Sequence, residues 1–216
     1  MIRGFIFDLD GVLVDTVDYH YASWERLSLQ LGFKLDPKIK EKLKGISRMD
    51  SLNLVLQQGG IKLSRKKKEE LTALKNKWYL ESLSELTNEI LLPGVEAFVE
   101  SSHKLGLRLA IGSASKNARS IIDRTNLKNS FEVIVDGNDI VKTKPDPEVF
   151  LKGAHLLGLK PQECLVFEDS AKGLMAASSG GFRKLGIGSA THLDEAEVIM
   201  TDLENISASQ ICRLYN

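Results

Sequence analysis

Two carboxylates near the start of the sequence, Asp8 and Asp10, have a type and a spacing that could do chemistry. They follow the apolar run 5–7, which is typical of a buried strand, and Gly11 after them allows a tight turn. Two carboxylates where a strand ends can face one pocket, bind a divalent cation and still have different roles. A carboxylate can also be a nucleophile that forms a covalent phosphoryl intermediate. Taken alone, an acidic turn that ends a strand explains the pair as well.

Other apolar runs also end in polar residues. The runs cover 107–111, 133–135 and 164–167, and they are followed by Gly112-Ser113, Asp136-Gly137 and Glu168-Asp169. Helical patterns separate them at 94–105, 116–125, 147–157 and 170–179. This alternation predicts an α/β fold with a parallel sheet, in which the carboxyl ends of the strands share one rim. The polar residues are therefore expected to gather at that rim.

The stretch 15–91 breaks the alternation. It contains helical patterns at 19–31, 50–58 and 69–83 and no convincing strand. Because it leaves the sheet after the first strand and returns before the second, it can lie over the rim. We therefore expect an α/β core of residues 1–14 and 92–216, and an inserted helical cap domain of residues 15–91 that can act as a lid.

Composition narrows the class of protein. At 216 residues the chain fits a single large domain, or a core with a smaller insertion. Lys plus Arg and Asp plus Glu both number 29, so no bulk basic field attracts nucleic acid or an anionic membrane. Two cysteines are too few for a disulfide scaffold, and no apolar run approaches the roughly 18 to 20 residues of a membrane span. We expect a cytoplasmic, monomeric protein that binds a small molecule.

Four short motifs along the chain resemble those of the haloacid dehalogenase superfamily of phosphotransferases, and within it the β-phosphoglucomutase branch with a helical cap. They are Asp-Leu-Asp-Gly at 8–11, Gly-Ser-Ala-Ser at 112–115, Lys-Pro-Asp-Pro at 144–147 and Glu-Asp-Ser at 168–170. One such motif is weak evidence, whereas four in order on separate strand-end loops are a strong signal. The resemblance covers nearly the whole chain and implies a Rossmann-like parallel sheet with an all-helical cap.

The resemblance implies roles for the residues at the rim. Asp8 would be the nucleophile, and Asp10 the general acid and base, which requires the pKa of Asp10 to rise towards working pH. Lys144 would neutralise the charge of the phosphoryl group and of Asp8, although a solvated lysine is the default for such a residue alone. Ser113 would bind the phosphoryl group. It could also cap a helix that begins directly after it, and the two roles are compatible because helix N-termini bind anions. The backbone amides of Ala114 and Ser115 would add hydrogen bonds to the phosphoryl group.

The resemblance also implies a Mg²⁺ site. Its ligands would be the carboxylate of Asp8, the backbone carbonyl of Asp10, and the carboxylates of Glu168 and Asp169, an all-oxygen set that suits a hard cation. Adjacent residues of an extended chain point to opposite faces, so Glu168 reaches the ion only if the chain has already turned.

The cap segment 44–48, Lys-Gly-Ile-Ser-Arg, resembles the mutase signature. There Gly45 would let the backbone approach the sugar, and Arg48 would hold the phosphate that is not transferred. A mutase binds β-glucose 1,6-bisphosphate in two orientations and needs this second phosphate site, which a phosphatase does not. An exposed basic turn is the alternative interpretation. The substrate contacts implied in this way involve Lys44, Gly45, Ser47, Arg48, Lys75, Ala114, Ser115, Lys116 and Asn117.

Three residues after the nucleophile complete the predicted site. Thr16 lies in the hinge to the cap and can reach Asp10. His20 is predicted either to hold Asp10 or contact sugar hydroxyls, or to be a structural histidine. Trp24 could line the sugar pocket, although aromatic residues at helical spacing more often belong to a core. No role is assigned to the polar residues of 136–139, for which a solvated loop is one interpretation.

These implications together predict a Mg²⁺-dependent phosphosugar mutase that interconverts β-D-glucose 1-phosphate and glucose 6-phosphate. The intermediates would be β-glucose 1,6-bisphosphate and an aspartyl-phosphate enzyme. A sugar-phosphate phosphatase on the same scaffold is the first alternative, with water as the acceptor. A phosphosugar-binding regulator without catalysis is the second, and the presence of Asp8, Asp10, Lys144 and Asp169 argues against it.

Overall fold

The centre of the fold is a parallel β-sheet. The computed structural model describes residues 1–84 and 87–215, and there it contains six strands in the order β3-β2-β1-β4-β5-β6, all neighbours being parallel. The strands are β1 Gly4–Phe7, β2 Arg108–Gly112, β3 Val133–Val135, β4 Cys164–Glu168, β5 Arg183–Ile187 and β6 Val198–Met200. The sheet confirms the predicted Rossmann-like α/β class.

Helices connect the strands and form the segment between β1 and β2. They are α1 Val17–Gln30, α2 Lys40–Leu43, α3 Arg48–Gln58, α4 Arg65–Ser82, α5 Val95–Lys104, α6 Ala118–Ile122, α7 Glu148–Leu156, α8 Ala171–Ser179 and α9 Ala208–Tyr215. No helix in the described part of the chain is long and apolar enough to cross a membrane.

Side chains of β1 are buried on both faces of the sheet, because successive residues point to opposite sides. Phe5 and Phe7 pack on one face, against Phe167 of β4. Ile6 packs on the other face, in a second cluster that includes Phe150 of α7. With both faces covered, the polar residues of the sheet are confined to its edges and its rim.

The helices α1 to α4 have a hydrophobic core of their own, which includes Trp24, Leu27, Leu52 and Leu71. Where the chain leaves and re-enters the sheet layer, Leu92 N donates to the Leu13 carbonyl and Asp15 N to the Ile90 carbonyl. Within the described residues of 15–91 there is no strand, as expected. The division into a core (1–14 and 92–216) and a cap (15–91) stays a prediction, and residues 85, 86 and 216 lie outside the described residues.

Several elements differ from the sequence-based expectations. The strands β5 and β6 and the helix α9 follow residue 179, where no element was assigned. Strand β5 was not predicted because it begins with two charged residues, Arg183 and Lys184. In the structure Arg183 forms an ion pair with Glu197 beside β6. Helix α6 is shorter than the predicted 116–125, and this changes the environment of Ser113.

Candidate active site

The rim of the sheet brings together the polar residues that follow β1, β2 and β4. Strands β1 and β4 are neighbours, with Phe7 opposite Phe167, and Asp8 N donates to the Phe167 carbonyl. Asp8 therefore lies beside the end of β4, where Glu168 and Asp169 follow. On the other side, Ser113 N donates to the Val135 carbonyl at the end of β3.

Lys144 lies at the centre of this rim. Its Nζ is 2.6 Å from Asp8 Oδ1 and 2.5 Å from Glu168 Oε1, and its side chain is fully buried beside the Phe150 ring. Burial alone would lower the pKa of Lys144, but the two carboxylates outweigh burial and hold the pKa above its usual value. The structure thus excludes a solvated lysine and places a fixed positive charge against Asp8.

Three buried carboxylates form the other half of the rim. Asp8, Glu168 and Asp169 each offer an oxygen, and these oxygens lie within 4.8 Å of one another. Burial raises the pKa of Asp8 well above its usual value; burial and the neighbouring Glu168 raise that of Asp169 to about 7. The carboxylates outnumber the one buried ammonium that faces them, so the cluster carries excess negative charge. Its carboxylate oxygens are suitable ligands for a hard divalent cation such as Mg²⁺.

Glu168 joins this cluster through the local turn after β4. Its Oε2 accepts hydrogen bonds from both N and Oγ of Ser170, each at 2.8 Å. Space for the carboxylate depends on Gly173, where a Cβ would lie 1.8 Å from Glu168 Oε1. The chain therefore turns soon enough for the adjacent residues Glu168 and Asp169 to offer oxygens to one site.

Asp10 lies in a separate network of donors. Thr16 Oγ1 donates to Asp10 Oδ1, and His20 Nε2 lies 3.7 Å from the same oxygen. Lys75 Nζ is 2.8 Å from His20 Nδ1. When Lys75 is protonated it can only donate, so Nδ1 accepts and the hydrogen of the ring is on Nε2, which faces Asp10.

The pKa of Asp10 differs from the expectation. Burial raises it, but the contacts with His20 and Thr16 outweigh burial and lower it overall. The sequence analysis required this pKa to rise and did not foresee Lys75, whose own pKa burial and Arg48 lower to about 7. In this conformation Asp10 is held as a carboxylate, the form that accepts a proton.

A cavity of about 430 Å³ lies between the rim and the helices α1 to α4. Asp8, Asp10 and Ser113 line it from the sheet, and Arg48 lines it from the first turn of α3. The Arg48 side chain is half-buried, and its guanidinium has no hydrogen bond or ion pair among the described residues. Burial lowers the pKa of Arg48, as expected for a cation that is removed from water without a neighbouring counter-charge.

The loop before α3 contacts the sheet directly. Lys44 Nζ lies 3.0 Å from Asp169 Oδ2. Gly45 has a φ of +68°, and a Cβ there would lie 2.7 Å from Ser170 Oγ, so Gly45 permits a close approach to Ser170. It also lines the cavity, and its approach to a sugar stays a prediction. The Ser47 hydroxyl caps α3 by accepting from the backbone N of Asp50, and its contact with substrate stays a prediction.

The loop after β2 supplies the other predicted phosphate contacts. Ser113 does not cap a helix, because α6 begins only at Ala118; its Oγ accepts from Ser115 N at 3.1 Å. Ala114, Ser115 and Lys116 line the cavity, and the exposed Lys116 side chain has no ion pair among the described residues. Asn117 does not line it.

Some predicted substrate contacts are satisfied by the protein instead. Asn117 donates to Asn76 Oδ1 at 2.8 Å, which ties the loop after β2 to α4. Thr16 is fully buried against Asp10 and does not line the cavity. Trp24 and Lys75 line it but are only 2% and 1% exposed, with Lys75 Nζ over the Trp24 ring. Contacts of these four residues with substrate stay predictions.

Sequence reasoning missed two contributors to this site. Tyr79 is fully buried and stacks on His20 with ring centroids 3.9 Å apart; its position one helical turn after Lys75 was the available signal. Asp136 is not in a solvated loop but is 2% exposed and lies 3.4 Å from Arg119. It accepts from Asn138 N and so holds the loop that leads to Lys144.

Known proteins resemble this chain over most of its length. Residues 5–187 match the family model described as haloacid dehalogenase-like hydrolase. The β-phosphoglucomutase of Bacillus subtilis (strain 168) is 34% identical, over 95% of this chain and 92% of that protein. The phosphorylated carbohydrates phosphatase of Thermotoga maritima is 30% identical, over 83% of this chain and 82% of that protein.

A solved structure agrees with these sequence relatives. The crystal structure of β-phosphoglucomutase from Clostridium difficile superposes with a TM-score of 0.95 at 35% identity, covering 100% of this chain and 98% of that chain. The chain is thus similar in sequence to a mutase and to a phosphatase, and in structure to a β-phosphoglucomutase.

The carboxylate cluster predicts a metal-dependent gain in stability. We expect Mg²⁺ to raise the melting temperature of the metal-free protein, because a ligand that binds only the folded state stabilises it. Asp169→Asn should weaken Mg²⁺ binding, followed by calorimetric titration, by roughly 100-fold or more. The exposed carboxylate variant Asp123→Asn is the control and should bind as the wild type does. Equal Mg²⁺ affinity in Asp169→Asn would contradict the site.

Proposed function

The chain belongs to the haloacid dehalogenase-like hydrolase family, and we propose that it is a Mg²⁺-dependent phosphosugar mutase of this family. It interconverts β-D-glucose 1-phosphate and glucose 6-phosphate through β-glucose 1,6-bisphosphate and a phosphorylated Asp8. The observation that carries the proposal is Arg48, a half-buried cation without an ion pair among the described residues, which lines the same cavity as Asp8. Similarity to the β-phosphoglucomutase of Bacillus subtilis supports it.

Asp8 is the nucleophile in this proposal. An oxygen of its carboxylate attacks a phosphorus of the bisphosphate, and the bond from that phosphorus to the sugar oxygen breaks. Asp10, once protonated, gives its proton to the departing oxygen. Glucose 6-phosphate then leaves and β-glucose 1-phosphate binds in its place. Its 6-hydroxyl attacks the phosphoaspartate, the bond from Asp8 to phosphorus breaks, and Asp10 takes the proton from that hydroxyl, which forms the bisphosphate again. Atoms and charge balance, and Asp8 is regenerated.

Charge repulsion is the main obstacle to attack by one anion on another. Lys144 places a permanent positive charge at 2.6 Å from Asp8. Asp8, Glu168 and Asp169 would hold Mg²⁺, for which their oxygens are suitably grouped. When bound, the ion supplies further positive charge against the carboxylate and the phosphoryl group. Ser113 and the Ala114 amide orient the phosphoryl oxygens, whereas the Ser115 amide already donates to Ser113 Oγ.

A second phosphate site separates a mutase from a simple phosphatase. The bisphosphate must reverse its orientation in the cavity between the two half-reactions. While one phosphate lies at the nucleophile, the other therefore needs a cation elsewhere in the cavity to bind it. Arg48 offers a planar fork that can bind a phosphate through two hydrogen bonds, and Lys116 adds a charge from the sheet side. A phosphate would supply the counter-charge that the Arg48 guanidinium lacks among the described residues.

The alternative function is hydrolysis of a sugar phosphate, with water in place of the second sugar hydroxyl. Similarity to the phosphorylated carbohydrates phosphatase of Thermotoga maritima favours it. The two functions share the attack by Asp8 and differ in the acceptor.

The product distribution tests the proposal. The protein is incubated with β-glucose 1-phosphate, Mg²⁺ and a trace of glucose 1,6-bisphosphate, while glucose 6-phosphate and free phosphate are followed in one tube. We expect glucose 6-phosphate without stoichiometric release of phosphate. Release of phosphate alone would contradict the mutase and support the phosphatase.

Removal of the second phosphate site should lower the rate of the mutase reaction much more than the rate of acetyl phosphate hydrolysis. Arg48→Ala is expected to lower mutase turnover by roughly 100-fold, the effect of losing two charge-assisted hydrogen bonds. Hydrolysis of acetyl phosphate, which carries one phosphate, should change little. The control Arg65→Ala removes an exposed arginine of α4 and should change neither rate. An equal loss on both substrates would remove the role assigned to Arg48.

A further inference from the structure

The loop after β2 is attached to the loop after β3 at successive positions. Besides the bond from Ser113 N to β3, Gly137 N donates to the Ser115 carbonyl at 3.1 Å. One residue further along each loop, Asn138 Nδ2 donates to the Lys116 carbonyl, also at 3.1 Å. A carbonyl can only accept, so the amide nitrogen of Asn138 is the atom that faces Lys116. Because these residues precede α6, bonds to the neighbouring loop fix a stretch of backbone that no helix holds.

A buried carboxylate fixes the backbone around Asn138. Asp136 Oδ1 accepts from Asn138 N at 2.8 Å, a local turn that aspartate side chains favour. Its other oxygen, Oδ2, lies 3.4 Å from Arg119 Nε, and Arg119 also pairs with Asp139 at 2.9 Å. Asp139 in turn accepts from Asp136 N at 3.0 Å. The proposed reaction does not use Asp136, and this turn, which directs the Asn138 side chain towards the loop after β2, accounts for the buried carboxylate.

Lys116 receives two restraints from the loop after β3. Its carbonyl is held by Asn138, and its stem lies over Gly137, where a Cβ would come within 3.0 Å of Lys116 Cγ. The Lys116 side chain lines the same cavity as Asp8. A lysine side chain has many rotamers, and ordering it when a ligand binds lowers the affinity. Restraint of its backbone and stem before binding reduces that loss.

We propose that Asn138 is a positioning residue for Lys116, and that it thereby raises the affinity for the phosphate that is not transferred. Asn138 does not itself line the cavity, so it acts through Lys116 and not by contact with substrate. The inference rests on the proposed function, in which Lys116 binds this phosphate from the sheet side and Arg48 binds it from α3.

Binding of β-glucose 1,6-bisphosphate tests the inference without turnover. The bisphosphate is titrated into the Asp8→Asn protein at saturating Mg²⁺, and the affinity is measured by calorimetry. Adding Asn138→Ala should weaken binding by roughly fivefold, the worth of one exposed hydrogen bond. In the protein with Asp8 intact, the same substitution should raise the KM for β-glucose 1-phosphate by a similar factor. The value of kcat should stay within about twofold, because the phosphate is held equally in the bound substrate and in the transition state.

A second substitution distinguishes positioning of Lys116 from disorder of the loop. Lys116→Ala alone should weaken binding of the bisphosphate by roughly tenfold or more, the worth of a hydrogen bond to a charged group. Adding Asn138→Ala to Lys116→Ala should then change the affinity by less than about twofold, because no ammonium is left to position. A merely structural role would weaken binding by the same factor in both backgrounds.

The matched control is Asn126→Ala. Asn126 is an exposed asparagine whose side chain donates to Glu96, and neither residue lines the cavity. The control also loses one side-chain hydrogen bond and should leave the affinity for the bisphosphate unchanged. Two results would each overturn the inference: an affinity of the Asn138→Ala protein within about twofold of its parent, or equal weakening with and without the Lys116 side chain.

The titration measures binding alone, so failure of this inference is distinguishable from failure of the mutase proposal. If the wild type hydrolyses β-glucose 1-phosphate and forms no glucose 6-phosphate, the mutase proposal fails, and the affinities still decide the role of Asn138. If the Asp8→Asn protein binds the bisphosphate no more tightly than it binds glucose 6-phosphate, the protein has no second phosphate site, which overturns both.

Discussion

The buried ammonium of Lys144, bonded to Asp8 and Glu168, is the interaction on which the rest of the site depends. It joins three segments that are distant in sequence, after β1, at the end of β4 and before α7. Burial of charges is costly unless each is paired and hydrogen-bonded, and breaking one partner leaves the others uncompensated. The neighbouring structure meets this requirement: Ser170 saturates the second oxygen of Glu168, and Gly173 leaves room for it.

The cations over the cavity have different partners and therefore different roles. Lys44 pairs with Asp169, Lys75 contacts His20, and Arg48 has no ion pair among the residues described. Lys44 links the loop before α3 to the carboxylate cluster, and Lys75 acts on Asp10 through an imidazole. In the proposed function, Arg48 binds the phosphate that is not transferred.

The residues at the rim could be predicted from the sequence because parallel strands present their carboxyl ends at one edge. Asp8, Ser113, Lys144 and Asp169 all lie in motifs that follow or flank those ends. The pKa of Asp10 could not be predicted, because its direction depends on whether the contacts with His20 and Thr16 outweigh burial, a balance that the sequence does not show. Whether Ser113 caps a helix could not be decided from the sequence. Four loop residues separate it from α6, and no sequence signal showed that the helix begins so late. Tyr79 was overlooked since a tyrosine at helical spacing is typical of a core, to which it also belongs.

The central claim is that Asp8, one of the two carboxylates bonded to Lys144, is the residue that becomes phosphorylated. The most direct measurement is to incubate the protein with acetyl phosphate and Mg²⁺, and to locate the covalent phosphate by peptide mapping and mass spectrometry. The account predicts a hydroxylamine-sensitive acyl phosphate on Asp8, absent when Mg²⁺ is chelated and absent in Asp8→Asn. A phosphate on any other residue, or labelling that persists in Asp8→Asn, would contradict it.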